Sequence, residues 1–250
     1  MTQEERNALQ RWAEHHKALA ADVPVEDWLS QSEIDKKRKK LEEDPIKWIK
    51  YFFPKYAKYE FAPFHVRAIK RVIEHDEWYE VLSWSRELAK STVAMFICMY
   101  LALTKRKRFF VLASATIDSA KRLLAPYKIN FESNPRIRQF YGSQVTLGQW
   151  TDGEFTAKCG AKFVALGAGS APRGARNEEV RPDVIYMDDY DTDEDCRNPE
   201  TLKKKWDWFE ASLYPTRSIS EPTLILWCGN IIAKDCCIKR AGAKAPSVLR

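Results

Sequence analysis

Several things are missing from this 250-residue chain, and each absence narrows its class. The six cysteines, at positions 98, 159, 196, 228, 236 and 237, contain no C-x-x-C pair, and the four histidines do not stand beside them at zinc-ligand spacing. No structural metal and no disulfide framework is therefore expected, which suits a reducing cytoplasm. The longest apolar run, Val93 to Leu103, is too short to span a bilayer, and the N-terminus is polar and charged, unlike a signal sequence. A membrane partner is not expected. There is no internal repeat and no low-complexity tract. Glycine is scarce, nine residues in all, and none of the nine falls between residues 79 and 92, where the chain otherwise reads as a phosphate loop.

What is present describes a folded α/β protein. Hydrophobic residues make up 45% of the chain and nine are tryptophan, enough for one large core. Lys and Arg exceed Asp and Glu by 41 to 35, a net charge of +6 that permits an anionic partner without requiring one. The basic clusters at 36–40, 105–108 and 203–205 can each meet phosphates or simply form solvated faces. Residues 1–50 read as a helical appendage, with Leu9, Trp12, Ala13, Leu19 and Ala20 at helical spacing among charges. The stretch from Lys47 to Tyr56 interleaves aromatics with lysines, as either a nucleic-acid surface or a hydrophobic staple tying the appendage to the core. From residue 60 onward, within a main domain expected at 51–245, short apolar runs alternate with amphipathic segments, the pattern of a mostly parallel sheet flanked by helices. Strands are expected at 79–84, 109–113, 184–187 and 224–228, and helices at 65–74, 90–103, 117–133 and 200–213. The segments 154–158 and 162–166 read as a hairpin inserted into that alternation.

A phosphate loop needs a strand, a tight turn whose N–H groups face the phosphates, a lysine and a hydroxyl at the start of a helix. Tyr79 to Trp84 supplies the strand, Ser85-Arg86-Glu87-Leu88-Ala89 the turn, and Lys90, Ser91 and Thr92 the charge and hydroxyls. Trp84 and Ala89 stand where the G-x-x-x-x-G-K-[ST] pattern has its glycines. Ala89 is the milder departure, since a helical φ would accommodate its methyl, whereas Trp84 requires another backbone path. The competing reading is an ordinary helix N-terminus capped by Ser85.

Val184 to Asp189 is an apolar strand ending in two carboxylates, which suits one acid, Asp188, for the water shell of Mg²⁺ and a neighbour, Asp189, for orienting the attacking water. An acidic loop is the plainer alternative, because Asp191, Asp193, Glu194 and Asp195 follow at once. Calcium of the EF-hand type is excluded by the missing central Gly and final Glu. Upstream, residues 166–176 form a flexible loop with Arg173 and Arg176, either of which can reach a phosphate or the acidic loop.

As a set, Trp84 to Thr92, Gly167 to Asp189 and Leu224 to Asn230 resemble the ATPase domain of large terminase subunits, the DNA-packaging motors of tailed bacteriophages. The resemblance runs from about residue 45 to 240. It implies an ASCE-type P-loop NTPase fold that takes ATP and Mg²⁺. Lys90 and Ser91 would hold the outer phosphates and the metal, Arg86 would sense the γ-phosphate, and Asp188 would be the Walker B acid. The family's catalytic Glu is Asp189 here, with Asp191 or Glu194 as alternative bases. His65, in the segment Phe61 to His65, stands where a Gln near adenine is common, and Gly229-Asn230 resembles the motif that couples hydrolysis to movement. Arg176, ahead of Arg173, would act in trans as an arginine finger.

The same resemblance implies a homo-oligomeric ring on the portal protein, with double-stranded DNA and the small terminase subunit as further partners. Its place of action would be the host cytoplasm, at the procapsid. Members of that family continue into a nuclease domain, so the chain would be an ATPase domain without it. A helicase-like motor and a non-hydrolysing nucleic-acid-binding module are the other readings, the second kept open by Asp189.

Overall fold

The computed structural model of the chain describes residues 3–172, 180–218, 220–245 and 247–249. Seven strands form one sheet: β1 (Trp78–Leu82), β2 (Phe109–Ser114), β3 (Glu154–Thr156), β4 (Lys162–Gly167), β5 (Val184–Asp188), β6 (Leu224–Cys228) and β7 (Ser247–Leu249). Their order is β3-β4-β2-β5-β6-β1-β7. All neighbours run parallel except β3, which is antiparallel to β4. The strand that carries the acids, β5, is thus separated from β1, which leads into the candidate phosphate loop, by β6. The result is a mostly parallel sheet flanked by helices.

Every residue of β2, β5 and β6 is buried, which is why these strands read as unbroken apolar runs rather than alternating ones. The period-2 pleat sends successive residues into different layers. Phe110, Leu112, Tyr186, Leu226 and Cys228 join the larger core with α3 (Pro45–Phe52), α4 (Pro63–Glu74), α5 (Lys90–Leu103) and α6 (Ile117–Ser133). Phe109, Val111, Ile185, Met187 and Trp227 join the second core, which is closed by α9 (Pro199–Trp208) and α10 (Cys237–Lys244). The remaining helices are α1 (Gln3–Ala21), α2 (Gln31–Glu42), α7 (Pro135–Tyr141) and α8 (Asp193–Arg197).

Helix α5 is apolar all round and buried from Val93 to Leu103, so it is a core helix and not an amphipathic one. The aromatic and lysine stretch forms α3, started by Pro45 and by Asp44, whose side chain accepts from the N–H groups of Ile46 and Lys47. Trp48, Ile49, Phe52 and Phe53 are wholly buried, and the Trp48 indole donates to Tyr141 Oη at 2.8 Å. Its lysines pair locally, Lys47 with Asp44 and Lys50 with Glu60. The stretch is a staple.

Three elements differ from the sequence-based expectation. The segment 154–167 is a hairpin, but only β3 is an addition, because β4 pairs in parallel with β2 and belongs to the main sheet. Strand β1 ends at Leu82 instead of Trp84, since the chain leaves the sheet to build the loop. Helix α9 stops at Trp208 and widens into a π-helical turn, Phe209–Leu213, that buries Phe209 and Leu213 together.

Candidate nucleotide site

The C-terminal ends of β1, β6, β5 and β2 open onto a cleft of about 670 Å³, within the size range of small-molecule sites. Its first wall is the loop between β1 and α5. Trp84 leaves the strand with its ring buried, edge-on to Phe64 at 4.8 Å and 5.1 Å from the His65 ring. A bulky side chain is tolerated there because it turns away from the cleft into the core. Ala89 takes a left-handed conformation, φ 56° and ψ 30°, so the expectation of a helical φ at this position is wrong. Glu87 is also left-handed, at φ 66°. The turn keeps the backbone shape that glycine normally supplies and bears the strain instead.

That geometry removes the competing reading of a capped helix. The residue preceding α5 is Ala89, and no side chain caps the helix. An ordinary cap sits in the extended region and satisfies an N–H with its side chain. Here no side chain caps the first turn of α5, whose N–H groups lack intrahelical partners, and its residues Lys90, Ser91 and Thr92 line the cleft. Lys90 is buried, and its Nζ donates to Trp84 O at 2.7 Å, Ser85 O at 3.1 Å and Asn230 Oδ1 at 3.1 Å. Arg86 and Glu87 line the same wall from the tip of the loop, where Ser85 and Leu88 are exposed.

The end of β5 reaches the cleft at Asp189, while Asp188, next to it in the chain, is not among the lining residues. Asp188 is buried, and its Oδ2 accepts from the Tyr186 hydroxyl at 2.6 Å while its Oδ1 has no hydrogen-bond partner. Burial pushes its pKa up to about 6, with the nearby hydroxyls of Ser91 and Tyr186 opposing and the charge of Asp189 adding. Asp189 follows in a left-handed turn at φ 40°, exposed and lining the cleft, its N–H bonded to Cys228 O. Among the described residues, three of the four left-handed non-glycine ones, Glu87, Ala89 and Asp189, therefore surround one cleft, as expected where strain is held for function.

The other carboxylates separate cleanly. Asp191 reaches the cleft, but both its oxygens are engaged, accepting from the N–H groups of Cys237 and Ile238 at 2.8 and 2.9 Å to cap α10. Glu194 lies exposed on the first turn of α8, outside the cleft wall. Gly229 and Asn230 form the middle of the cleft. The N–H of Gly229 bonds to Leu82 O, and a methyl at Gly229 would press on Ile238 Cδ1 at 3.0 Å.

His65 is close to the loop but not in the cleft lining. Its Nδ1 accepts from the Ala62 N–H at 3.2 Å, which leaves Nε2 as the protonated nitrogen that donates to Leu88 O at 3.0 Å. It braces the loop from behind. Arg173 and Arg176 lie outside the described residues.

The sequence reading missed the far wall, Ala115, Thr116 and Ser119, which follows β2. Thr116 caps α6 through Ser119 N, and Gly167 lets that helix begin against β4, since a Cβ there would meet Ile117 N at 2.6 Å. A hydroxyl-bearing cap directly after an apolar strand was the available signal.

The donors suit a hard divalent cation held largely by water and phosphate: one buried, unpaired carboxylate oxygen on Asp188 beside the Ser91 hydroxyl. Among the described residues no cluster of three His, Cys, Asp or Glu could hold a metal alone.

No protein-family model matches the sequence, and no curated protein matches it. The fold is found in the large terminase of bacteriophage HK97, with a TM-score of 0.52 at 12% identity over 95% of this chain. The match covers 43% of that protein, so the chain spans less than half its length. The large terminase ATPase domain of Thermus phage P74-26 is more distant, with a TM-score of 0.46 at 14% identity, covering 72% of this chain and 68% of that one.

Proposed function

We propose that this chain is the ATPase motor domain of a viral large terminase, coupling ATP hydrolysis to translocation of double-stranded DNA into a procapsid. The shared fold is the premise, and the observation that carries the reading is Asp188 Oδ1. It is a buried, unpaired carboxylate oxygen at the foot of an uncapped helix whose first residues are Lys90 and Ser91.

In this reading the backbone from Ser85 to Thr92 cradles the phosphates, and Lys90 exchanges its internal acceptors for β- and γ-phosphate oxygens. Arg86, at the loop tip, senses the γ-phosphate. Ser91 and Asp188 would hold Mg²⁺, which when bound would offset the charge that develops on the transferring phosphoryl group. Asp189 is the base that orients water: it is exposed to the cleft, whereas Asp191 is committed to α10 and Glu194 lies outside. Gly229 and Asn230 pass the change on through β6, and Arg176 of a ring neighbour completes the charge stabilisation. The working assembly is a ring on the portal, loaded through the small terminase subunit in the host cytoplasm.

The test is phosphate release from ATP with Mg²⁺ and duplex DNA, comparing the parent chain with Lys90→Ala. Positioning and charge stabilisation are most of the chemistry in phosphoryl transfer, so a loss of at least about 100-fold is expected with the far-ultraviolet dichroism unchanged. Undiminished hydrolysis by Lys90→Ala would falsify this reading. Strand separation of a forked duplex would instead favour a helicase-like motor.

A further inference from the structure

Tyr186 sits in the middle of β5 and is completely buried. Two residues on comes Asp188, and a two-residue step along a strand puts both side chains on the same face. The Tyr186 hydroxyl donates to Asp188 Oδ2 at 2.6 Å, the short length typical of an O–H···O⁻ bond. Oδ1 of the same carboxylate is buried and unpaired.

We infer that Tyr186 is the positioning residue of the metal site: its phenol occupies Oδ2 and so presents Oδ1 alone to a divalent cation shared with Ser91. The inference rests on the reading of Asp188 as the metal acid.

Packing alone does not account for this hydroxyl. On the flanking strands it stands beside Leu112 and Leu226 in an apolar core, with the Cys228 thiol near its ring, and phenylalanine would fill the same volume. A phenolic oxygen brought into a dry interior costs free energy unless it is paired, and its partner here is the acid. A free carboxylate at the end of a strand can rotate about its last torsion and bind a cation through either oxygen or both. Tying one oxygen to a ring fixed by the core selects a single orientation. Groups that orient a ligand in this way typically contribute about 10–100-fold to metal affinity.

The experiment is a Mn²⁺ titration of the whole chain in the presence of ADP, with free Mn²⁺ read by electron paramagnetic resonance. Alongside it, binding of a fluorescent ADP analogue is measured in EDTA, and melting temperature without metal. For Tyr186→Phe the Mn²⁺ dissociation constant should rise about tenfold or more, with ADP binding in EDTA and the melting temperature little changed. Tyr186→Met, which also lacks the hydroxyl, should behave alike and covers the case of a poorly folding first variant. Asp188→Asn should lose Mn²⁺ altogether.

If Asp188→Asn loses Mn²⁺ while both Tyr186 variants keep full affinity, Tyr186 has no positioning role and the Asp188 reading stands. Equal losses of ADP binding in EDTA and of Mn²⁺ binding would mark Tyr186 as structural only and also overturn the inference. Full Mn²⁺ affinity in Asp188→Asn would remove the reading of the acid, and this inference with it.

Discussion

Replacing Ala89 with glycine should stabilise the protein, although glycine placed at the start of a helix ordinarily does not. At φ 56° and ψ 30° Ala89 lies in the left-handed well, where an L-residue is disfavoured by about 1–2 kcal/mol. Against this relief stands the greater freedom of glycine in the unfolded chain, worth about 0.5–1 kcal/mol. The balance favours Ala89→Gly by about 0.5–1 kcal/mol. For a chain of 250 residues each kcal/mol moves the melting temperature by about 2–4 °C, so the gain should be about 1–4 °C. Calorimetry without nucleotide measures it, with Ala94→Gly inside α5 as the control. Ala94 is buried in a regular helix, and its glycine variant should lose at least about 1 kcal/mol. If Ala89→Gly loses as much as the control, residue 89 is an ordinary helical residue and the phosphate-loop geometry is refuted.

Asp188 makes stability depend on pH. Its pKa in the folded metal-free protein, about 6, lies above the ordinary 3.8, so the folded state keeps a proton that the unfolded chain has released. Its stabilising contribution is therefore full below about pH 4 and lost as pH rises through about 6, on the order of 3 kcal/mol in all. Urea midpoints of metal-free Asp188→Asn should accordingly fall less between pH 4.5 and 7 than those of the parent; parallel profiles would contradict the shift. Arg71 holds the fully buried Glu80 through two bonds of 3.0 Å, so Arg71→Ala, which strands that charge, should cost about 3–5 kcal/mol in urea unfolding. A cost below about 1 kcal/mol would show that Glu80 is content with its bond to the Trp78 indole. Asp191→Ala should cost about 0.5–2 kcal/mol by uncapping α10, while Asp189→Asn should leave unfolding unchanged and stop phosphate release. The reverse pattern would exchange the roles of the two acids.

Where the sequence was legible, one residue type dominated the physics. The helices from Lys90 and Ile117 and the strand from Leu224 fall on their expected bounds, because an unbroken apolar run between polar breaks has few other places to go. The juxtaposition of the candidate residues was legible for a related reason: Lys90, Ser91 and Asp188 stand at the ends of buried elements, and parallel strands bring such ends together. Trp84 misled, since an apolar side chain after an apolar strand looks like more strand, while its ring packs on Phe64 and the backbone turns away. The hand of Ala89 was invisible, because alanine has no local preference for that well and takes it only under tertiary constraint. Asp191 was equally opaque, as its partners lie 46 and 47 residues away. Helices α8 and α10 and strand β7 are too short for periodicity to reveal.

The three acceptors around Lys90 carry a thermodynamic consequence for whatever anion arrives. The ammonium has already left bulk water and is held by two main-chain carbonyls and the Asn230 amide oxygen. Its dehydration is thus charged to folding, and the newcomer exchanges one set of oxygens for another. Such a site trades tightness for readiness: the incoming group gains only the difference between its own oxygens and those it displaces, and it can leave again on the same terms.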